Sequence, residues 1–282
     1  MSGMRGVSAT VRRRRLGTEL RQYRESAGLT IEQVADHMGC STSKISRLET
    51  GQIGSSPHDV RRILTLLGVE DSKLGELLAV AEQTRERGWW HRQGSALTSE
   101  YVAFEQAAEQ IRSYEAQCVP GLLQTEGYAR AILDNGGAGP EQIERRLRVR
   151  LRRRSLLTQD DPIRLWCVID EAALLRPVGG PTVMRHQLEH LAETSIVDNV
   201  TLQVLPLHVG AHAGMDGSFA VLQFAHDSDP DTVYVAVATG GVFQEKPDEV
   251  RRYTWIFDEL TNVALTPTDS TAIILAMARE LR

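Results

Sequence analysis

Three glycines divide residues 28 to 51 into two short segments, and this division constrains the fold more than any other feature of the sequence. Gly28 and Gly51 are each placed to end a helix, as glycine commonly does just past a helix C-terminus. Gly39 lies between the segments, where a glycine can adopt the left-handed conformation of a sharp turn. The pattern therefore predicts two short helices joined by a tight turn.

Capping residues mark where these two helices begin. Thr30 is a good N-cap, and Gln33 three residues later completes a capping-box pattern. Ser41 is suited to cap the second helix. We therefore predict helices over about residues 31–38 and 42–50.

Apolar residues at helical spacing predict further helices around this pair. One precedes it over about residues 13–27, and two follow it, over about residues 57–67 and from about residue 73. Together the helices would enclose one small core. Residues 1 to 87 are therefore predicted to form an all-α domain of five helices.

The charge distribution favours a polyanionic partner for the N-terminal part alone. Residues 1 to 70 hold 11 Lys and Arg against 7 Asp and Glu, a net charge of +4, and the remainder carries −9, which together give the −5 of the whole chain. A basic head on an acidic body is expected when only the head touches nucleic acid.

The stretch GLTIEQVADHMGCSTSKISRLETG, residues 28 to 51, resembles the helix-turn-helix of the XRE family, the phage-repressor type. The resemblance is carried by Ala35, Gly39, Ile45, Leu48 and the closing Glu49-Thr50-Gly51. It implies a lambda-repressor-like domain that binds double-stranded DNA by placing its second motif helix in the major groove. It also implies that Glu49 faces inward and pairs with Arg24, a structural pair.

The outward-facing residues of that second helix are the candidate DNA contacts. The candidates for base edges are Thr42, Ser43, Ser46 and Arg47. The candidates for phosphates are Lys44 and the run Arg12, Arg13, Arg14 and Arg15. Arg47 can form a bidentate bond to guanine, worth about 1–3 kcal/mol of discrimination. The alternative is a protein-interaction bundle, which the absence of any acid between Thr42 and Leu48 disfavours.

Composition argues against membrane, secreted and metal-binding classes. No apolar run approaches the roughly 18 residues of a membrane helix, and no apolar stretch follows the N-terminal arginines as in a secretory signal. Cys40, Cys118 and Cys167 are far apart, which fits neither a disulfide framework nor a zinc site. We therefore expect a cytoplasmic protein without a metal or other cofactor.

Residues 101 to 282 are predicted to form an α+β domain, which a linker over residues 88–100 joins to the first. Helices are predicted over about residues 100–116, 124–134, 140–157, 181–195, 247–262 and 267–281. Alternating Val, Ile and aromatic residues predict strands over about residues 163–169, 200–205, 218–224 and 232–238. The last two strands could form a hairpin across residues 226–231.

The C-terminal domain and the linker carry four candidate partner or ligand contacts. Trp89 and Trp90 lie in the linker, where packing against a neighbouring domain is the alternative. His208 and His212 flank a glycine-rich loop after a strand, and such loops often carry function. The alternative for that loop is a plain connection.

Two further patterns each allow an ordinary explanation. His186 and His190 match the H-x-x-E-H pattern of some zinc peptidases, but Leu188 and Leu191 indicate an ordinary amphipathic helix instead. Seven arginines between residues 145 and 154 could bind phosphates or an acidic partner, or form a solvated face paired with acids. No phosphate loop, dinucleotide-binding motif or nucleophile elbow is present, so we expect no enzyme.

Three segments resemble the C-terminal domain of unknown function that follows an XRE helix-turn-helix in many actinobacterial regulators, WhiJ-like and antitoxin-like proteins among them. They are residues 113–133, 200–224 and 249–265. The resemblance implies a small partner protein encoded nearby. We therefore expect a homodimeric, sequence-specific transcription regulator, a repressor whose C-terminal domain binds that partner. The alternative is a one-component regulator that senses a small molecule.

Overall fold

The computed structural model describes residues 9–83, 96–137, 139–225, 229–238 and 240–281. The described residues divide into two compact units, an N-terminal unit over residues 9–83 and a C-terminal unit over residues 96–281. No helix in the described ranges is long and apolar enough to cross a membrane.

The N-terminal unit consists of helices around one apolar core. They are α1 (Ala9–Ser26), α2 (Ile31–Met38), α3 (Thr42–Glu49), α4 (Pro57–Leu66) and α5 (Asp71–Gln83). Each helix contributes side chains that are at most 2% exposed, among them Leu20, Val34, Ile45, Leu64 and Leu77. The short helices are therefore held by this shared core, because isolated helices of such length are marginal in water.

Local capping explains where α2 and α3 begin. The Thr30 hydroxyl accepts a hydrogen bond from the Gln33 backbone N–H at 3.3 Å, and the Gln33 side chain accepts one from the Thr30 N–H at 2.8 Å. This reciprocal pair confirms the predicted capping box. The Ser41 hydroxyl accepts a hydrogen bond from the Lys44 N–H at 3.2 Å and caps α3. Gly39 has a φ of 66°, so the turn uses the left-handed conformation that glycine supplies.

Helices α1 and α3 approach each other closely at Gly17. A Cβ atom placed on Gly17 would lie 2.5 Å from the carbonyl oxygen of Glu49 and 2.6 Å from that of Leu48. Both are backbone atoms at the end of α3, so they can retreat only if the helix moves. The absence of a side chain at Gly17 therefore sets the spacing between the two helices.

Gly17→Ala is expected to destabilise the N-terminal unit by about 1–3 kcal/mol, the usual cost of overpacking. Helix propensity alone would favour alanine by about 1 kcal/mol, so the sign of the effect separates the two causes. Denaturant unfolding followed by circular dichroism measures it. Gly75→Ala in α5 is the matched control, because an added Cβ there meets nothing within 4 Å. A more stable Gly17→Ala protein would contradict the close approach.

The C-terminal unit is built on a mixed six-stranded sheet, in the order β3-β2-β1-β4-β5-β6. The strands are β1 (Gln110–Glu115), β2 (Arg164–Asp170), β3 (Val200–Leu205), β4 (Phe219–Gln223), β5 (Thr232–Val237) and β6 (Gly240–Gln244). Strands β1, β2 and β3 are parallel, and β4, β5 and β6 pair antiparallel. The helices are α6 (Ala96–Ala107), α7 (Glu126–Asp134), α8 (Pro140–Arg153), α9 (Glu171–Leu175), α10 (Pro181–Thr194), α11 (Pro247–Val263) and α12 (Pro267–Glu280).

The sequence prediction is wrong around the first strand. The pattern predicts a linker over residues 88–100 and a helix over residues 100–116, whereas α6 begins at Ala96 and ends at Ala107, and β1 follows it. Residues 88–95 lie outside the described ranges. The apolar spacing in this stretch is helical, but β1 pairs with β2 on one side and β4 on the other. Pairing with distant strands therefore outweighs the local pattern.

The other predicted strands are confirmed as β2, β3, β4 and β5. Strands β4 and β5 pair with each other as expected. Residues 226–228 between them lie outside the described ranges. Strand β6 was not predicted, because it begins with two glycines, which are poor strand formers. The Tyr234 ring occupies the place of a Cβ on Gly241. A glycine in a strand often marks such a close approach.

Candidate DNA-binding site

Helix α3 has one buried side and one solvent-facing side. Ile45 and Leu48 are 2% and 4% exposed and lock the helix onto the core of the N-terminal unit. The four residues predicted to meet base edges, in contrast, are all exposed. They are Thr42, Ser43, Ser46 and Arg47. Their side chains offer hydrogen-bond donors, acceptors and one cation, and no acid lies among them.

The Arg47 side chain runs back along α3 towards its N-terminus. Its Nε donates a hydrogen bond to the Ser43 carbonyl oxygen at 3.2 Å. This contact directs the guanidinium towards the first turn of the helix, where Thr42 and Ser43 are exposed. In helix-turn-helix proteins the N-terminal part of the recognition helix reaches the base edges.

Lys44, the predicted phosphate contact on α3, also faces an acid. Its Nζ lies 3.5 Å from Asp59 Oδ2 in the first turn of α4. Both side chains are partly exposed, so the pair contributes little stability. Asp59 was missed in the sequence, where an acid in a first helical turn is an ordinary feature.

The structure places Arg24 and Glu49 in a buried bidentate ion pair. The Arg24 Nε lies 2.6 Å from Glu49 Oε1, and its Nη2 lies 2.9 Å from Glu49 Oε2. Arg24 Nη1 also donates to the Leu29 carbonyl oxygen at 3.0 Å. The hydrogen bond that Arg24 donates to Glu49 raises the pKa of Arg24. The pair therefore ties α1 to the end of α3 and to the chain just before α2.

The run of four arginines lies within α1 and forms no separate arm. Arg12, Arg13, Arg14 and Arg15 are each partly buried. The Arg14 backbone also packs near α3, because a Cβ on Gly51 would lie 2.6 Å from the Arg14 Cα. Four consecutive helical residues point in different directions, so this run cannot act as one flat basic face.

Of the four candidate partner or ligand contacts, the structure describes His208 and His212, which have different surroundings. Trp89 and Trp90 lie outside the described residues. His208 is exposed, in a 3₁₀ turn over residues 207–209. The His212 side chain is 9% exposed, its Nδ1 accepts a hydrogen bond from the Gly214 N–H, and its Nε2 lies 3.9 Å from Asp170 Oδ2.

The H-x-x-E-H pattern lies on α10 as an ordinary helix face. His186 is exposed, whereas His190 is half-buried with its Nε2 3.2 Å from the Arg154 Nη2. Burial lowers the pKa of His190, and the Arg154 charge adds to that effect. No group of three or more His, Cys, Asp or Glu that could hold a metal ion occurs among the described residues.

The arginine-rich helix α8 divides its charges between solvent and interior. Arg145, Arg146, Arg148 and Arg152 are exposed. Arg153 instead turns inward, and its Nε and Nη2 lie 2.5 and 2.6 Å from the two carboxylate oxygens of Glu105. Burial alone would lower the pKa of Arg153, but Glu105 outweighs it and holds that pKa above its usual value. The sequence pattern gave no sign of this buried pair.

Two family models match the chain. Residues 15–77 match a helix-turn-helix domain, and residues 98–276 match a domain of unknown function (DUF5753). No curated protein and no solved structure matches the chain. The first match falls on the helices described above, and it indicates a DNA-binding regulator.

Proposed function

We propose that this protein, which belongs to the DUF5753 family and carries a helix-turn-helix domain ahead of that region, is a sequence-specific transcription regulator. It reads an operator with α3, acts as a repressor, and binds as a homodimer in the cytoplasm. Its C-terminal unit binds a small partner protein encoded nearby, in the manner of antitoxin-like regulators. It catalyses no reaction.

The observation that carries the proposal is the combination of a firmly fixed α3 and an outer face without acids. The buried Arg24–Glu49 pair and the contact at Gly17 hold the helix against α1. Thr42, Ser43 and Arg47 then extend into solvent from its first two turns. A rigid helix places such groups accurately enough for base recognition, which needs defined hydrogen-bond geometry.

The homodimer follows from how such motifs gain affinity. A single α3 spans only a few base pairs, and helix-turn-helix dimers bind two half-sites about one helical turn apart. Two copies thereby multiply the affinity of one. Analytical ultracentrifugation of the full-length protein on its operator should give two chains per duplex.

Small-molecule sensing is the second candidate for the C-terminal unit. A protein partner should bind stoichiometrically and shift the DNA complex of the full-length protein in a gel. A small ligand should instead raise the melting temperature without a second protein, because it binds only the folded state. The two outcomes assign the C-terminal unit to one class of effector.

Arg47→Ala is expected to weaken binding to the operator by about 1–3 kcal/mol and to relax the preference at one base pair, because a bidentate contact to guanine is lost. Fluorescence anisotropy against single-base operator variants measures both effects. Arg21→Ala is the matched control, since Arg21 is an exposed arginine that pairs with Glu25 on α1. Unchanged affinity and preference in Arg47→Ala would show that α3 does not read the operator through this residue.

A further inference from the structure

Two polar side chains of β1, Ser113 and Glu115, lie on the face of the sheet that points away from α11. Tyr114 packs in one apolar cluster with Phe257 and Leu260 of α11. Since side chains alternate along a strand, Ser113 and Glu115, its two neighbours, face the other way. Cys167 of β2 pairs with Ser113 in the parallel register and shares that face.

We use the name polar cluster for Glu105, Ser113, Glu115, Cys118, Arg150 and Arg153. Glu115 is acted on by the charge of Arg153, and Cys118 by the charges of both Glu115 and Arg150. Contacts place α8 beside the segment that follows β1, because Arg150 Nη1 donates a hydrogen bond to Gln124 Oε1 and a Cβ on Gly121 would lie 3.2 Å from Arg153 Nη2. Within it, Arg153 and Glu105 neutralise each other through their bidentate contact.

Arg150 carries a positive charge that no acid of the described residues matches by an ion pair. Its Nη1 donates a hydrogen bond to Gln124 Oε1 at 2.9 Å, and Gln124 is itself held by a bond from its Nε2 to the Val119 carbonyl oxygen at 2.7 Å. Burial lowers the pKa of Arg150, and Arg153 adds to this. A partly desolvated cation that is held only by a neutral amide favours a nearby anion.

Ser113 supplies an independent observation. It is 4% exposed, and its Oγ has no hydrogen-bond partner within the described part of the chain. A buried polar group without a partner is rare in folded proteins, and it indicates that a water, ion or ligand completes the site. The hydroxyl lies on the same face of β1 as Glu115.

Glu115 is the last residue of β1, and its carboxyl group likewise has no hydrogen bond to a described residue. It is partly accessible, yet burial raises its pKa to about 8 against the opposing effect of Arg153. A raised pKa favours the protonated form of the carboxyl group. As a neutral acid it can both donate and accept a hydrogen bond.

The position of the cluster also fits a binding site. Glu115 lies at the carboxyl end of β1, where the parallel half of the sheet meets the antiparallel strand β4. In open sheets flanked by helices, ligands bind outside the carboxyl ends of strands, where the strand order changes. Aromatic rings adjoin the cluster, because the Arg153 guanidinium lies 5.2 Å from the Tyr101 ring.

We propose that the polar cluster binds a small organic anion. Its carboxylate or phosphate group pairs with Arg150, and its hydroxyl, amine or amide groups form hydrogen bonds with Ser113 and Glu115. Such a site would serve the second candidate function, in which the C-terminal unit senses a small molecule. Anion binding at this cluster does not depend on the N-terminal unit. The experiments can therefore show loss of anion binding and loss of DNA recognition separately.

Isothermal titration calorimetry of the full-length protein tests the proposal with four probes at matched ionic strength. Acetate and glutamate represent carboxylates, and inorganic phosphate and glucose 6-phosphate represent phosphates. We expect either the carboxylate probes or the phosphate probes to bind saturably, with one anion per chain. The set that binds shows whether the site takes a carboxylate or a phosphate. Arg150→Gln should weaken that binding about 10- to 150-fold, the usual range for a hydrogen bond to a charged group.

Two further variants separate ligand binding from folding. Arg145→Gln changes an exposed arginine on the same helix and should leave the affinity unchanged. Ser113→Ala removes a hydroxyl without a protein partner, so it should keep or raise the melting temperature while it weakens binding. Absence of saturable binding of all four probes to the wild-type protein, or equal affinity in Arg150→Gln, would overturn the proposal.

Discussion

Glu49→Ala is expected to lower the free energy of unfolding of the N-terminal unit by about 3–5 kcal/mol, because it leaves the Arg24 guanidinium buried without its carboxylate. The side chains of Arg24 and Glu49 are only 10% and 7% exposed, so water cannot replace the lost partner. Such a loss is a large part of the stability of a small domain. It should also abolish specific DNA binding, since the end of α3 is no longer tied to α1.

Hydrogen–deuterium exchange of the peptide over residues 42–49, together with denaturant unfolding, assigns this loss to α3. Glu76→Ala is the matched control, because Glu76 forms an exposed pair with Lys73 on α5 and should leave the stability close to that of the wild-type protein. Joint replacement of Arg24 by Met and Glu49 by Leu should restore most of the stability, since apolar residues often replace a buried pair without loss. Equal effects of Glu49→Ala and Glu76→Ala would show that the pair has no special role.

Glu105→Ala is expected to destabilise the C-terminal unit by a similar amount, about 3–5 kcal/mol. The Glu105 side chain is 1% exposed, and its removal leaves the Arg153 charge inside the unit. The contact of Arg153 with the Tyr101 ring would remain, but a neutral ring cannot neutralise the charge. The pair joins α6 to α8, so both helices should loosen together.

Tryptophan fluorescence reports this change, because Trp166 packs edge-to-face on Phe257 in the core of the C-terminal unit. The matched control is Glu109→Ala, since Glu109 forms an exposed pair with Arg164. That control should lie within about 0.5 kcal/mol of the wild-type protein. An equally small effect of Glu105→Ala would mean that Arg153 is solvated in solution.

The helices of the N-terminal unit were predictable because their boundaries are encoded locally. Thr30 and Gln33 form the capping box within four residues, and Gly39 supplies the turn that follows α2. Such signals depend on neighbouring residues alone. A local pattern therefore sufficed for α2 and α3.

Features that depend on distant residues were not predictable in the same way. Strand β1 has the apolar spacing of a helix and becomes a strand because β2 and β4 lie beside it. The Glu105–Arg153 pair joins residues 48 positions apart, and nothing in either neighbourhood indicates the other. Tertiary pairing decides both, as it commonly does for strands.

The candidate DNA-binding site also has features that the local sequence predicts and features that depend on distant residues. Ile45 and Leu48 are the apolar residues of α3 and face the core, so Ser43, Ser46 and Arg47 on its other side are exposed. The contact of Lys44 with Asp59 could not be foreseen, because it depends on how α4 is placed against α3. The same holds for the unpartnered Ser113 hydroxyl, which only the folded sheet reveals.

Fluorescence anisotropy of the full-length protein on duplex DNA from just upstream of its own gene is the most direct test of operator recognition. A scrambled duplex of the same composition and a salt series serve as controls. We predict that the upstream duplex binds at least about a thousandfold more tightly than the scrambled one, the lower range of specific recognition. We also predict that this preference persists as salt weakens both complexes. Equal binding of the two duplexes at every salt concentration, or no binding at low salt, would contradict recognition of this operator by α3.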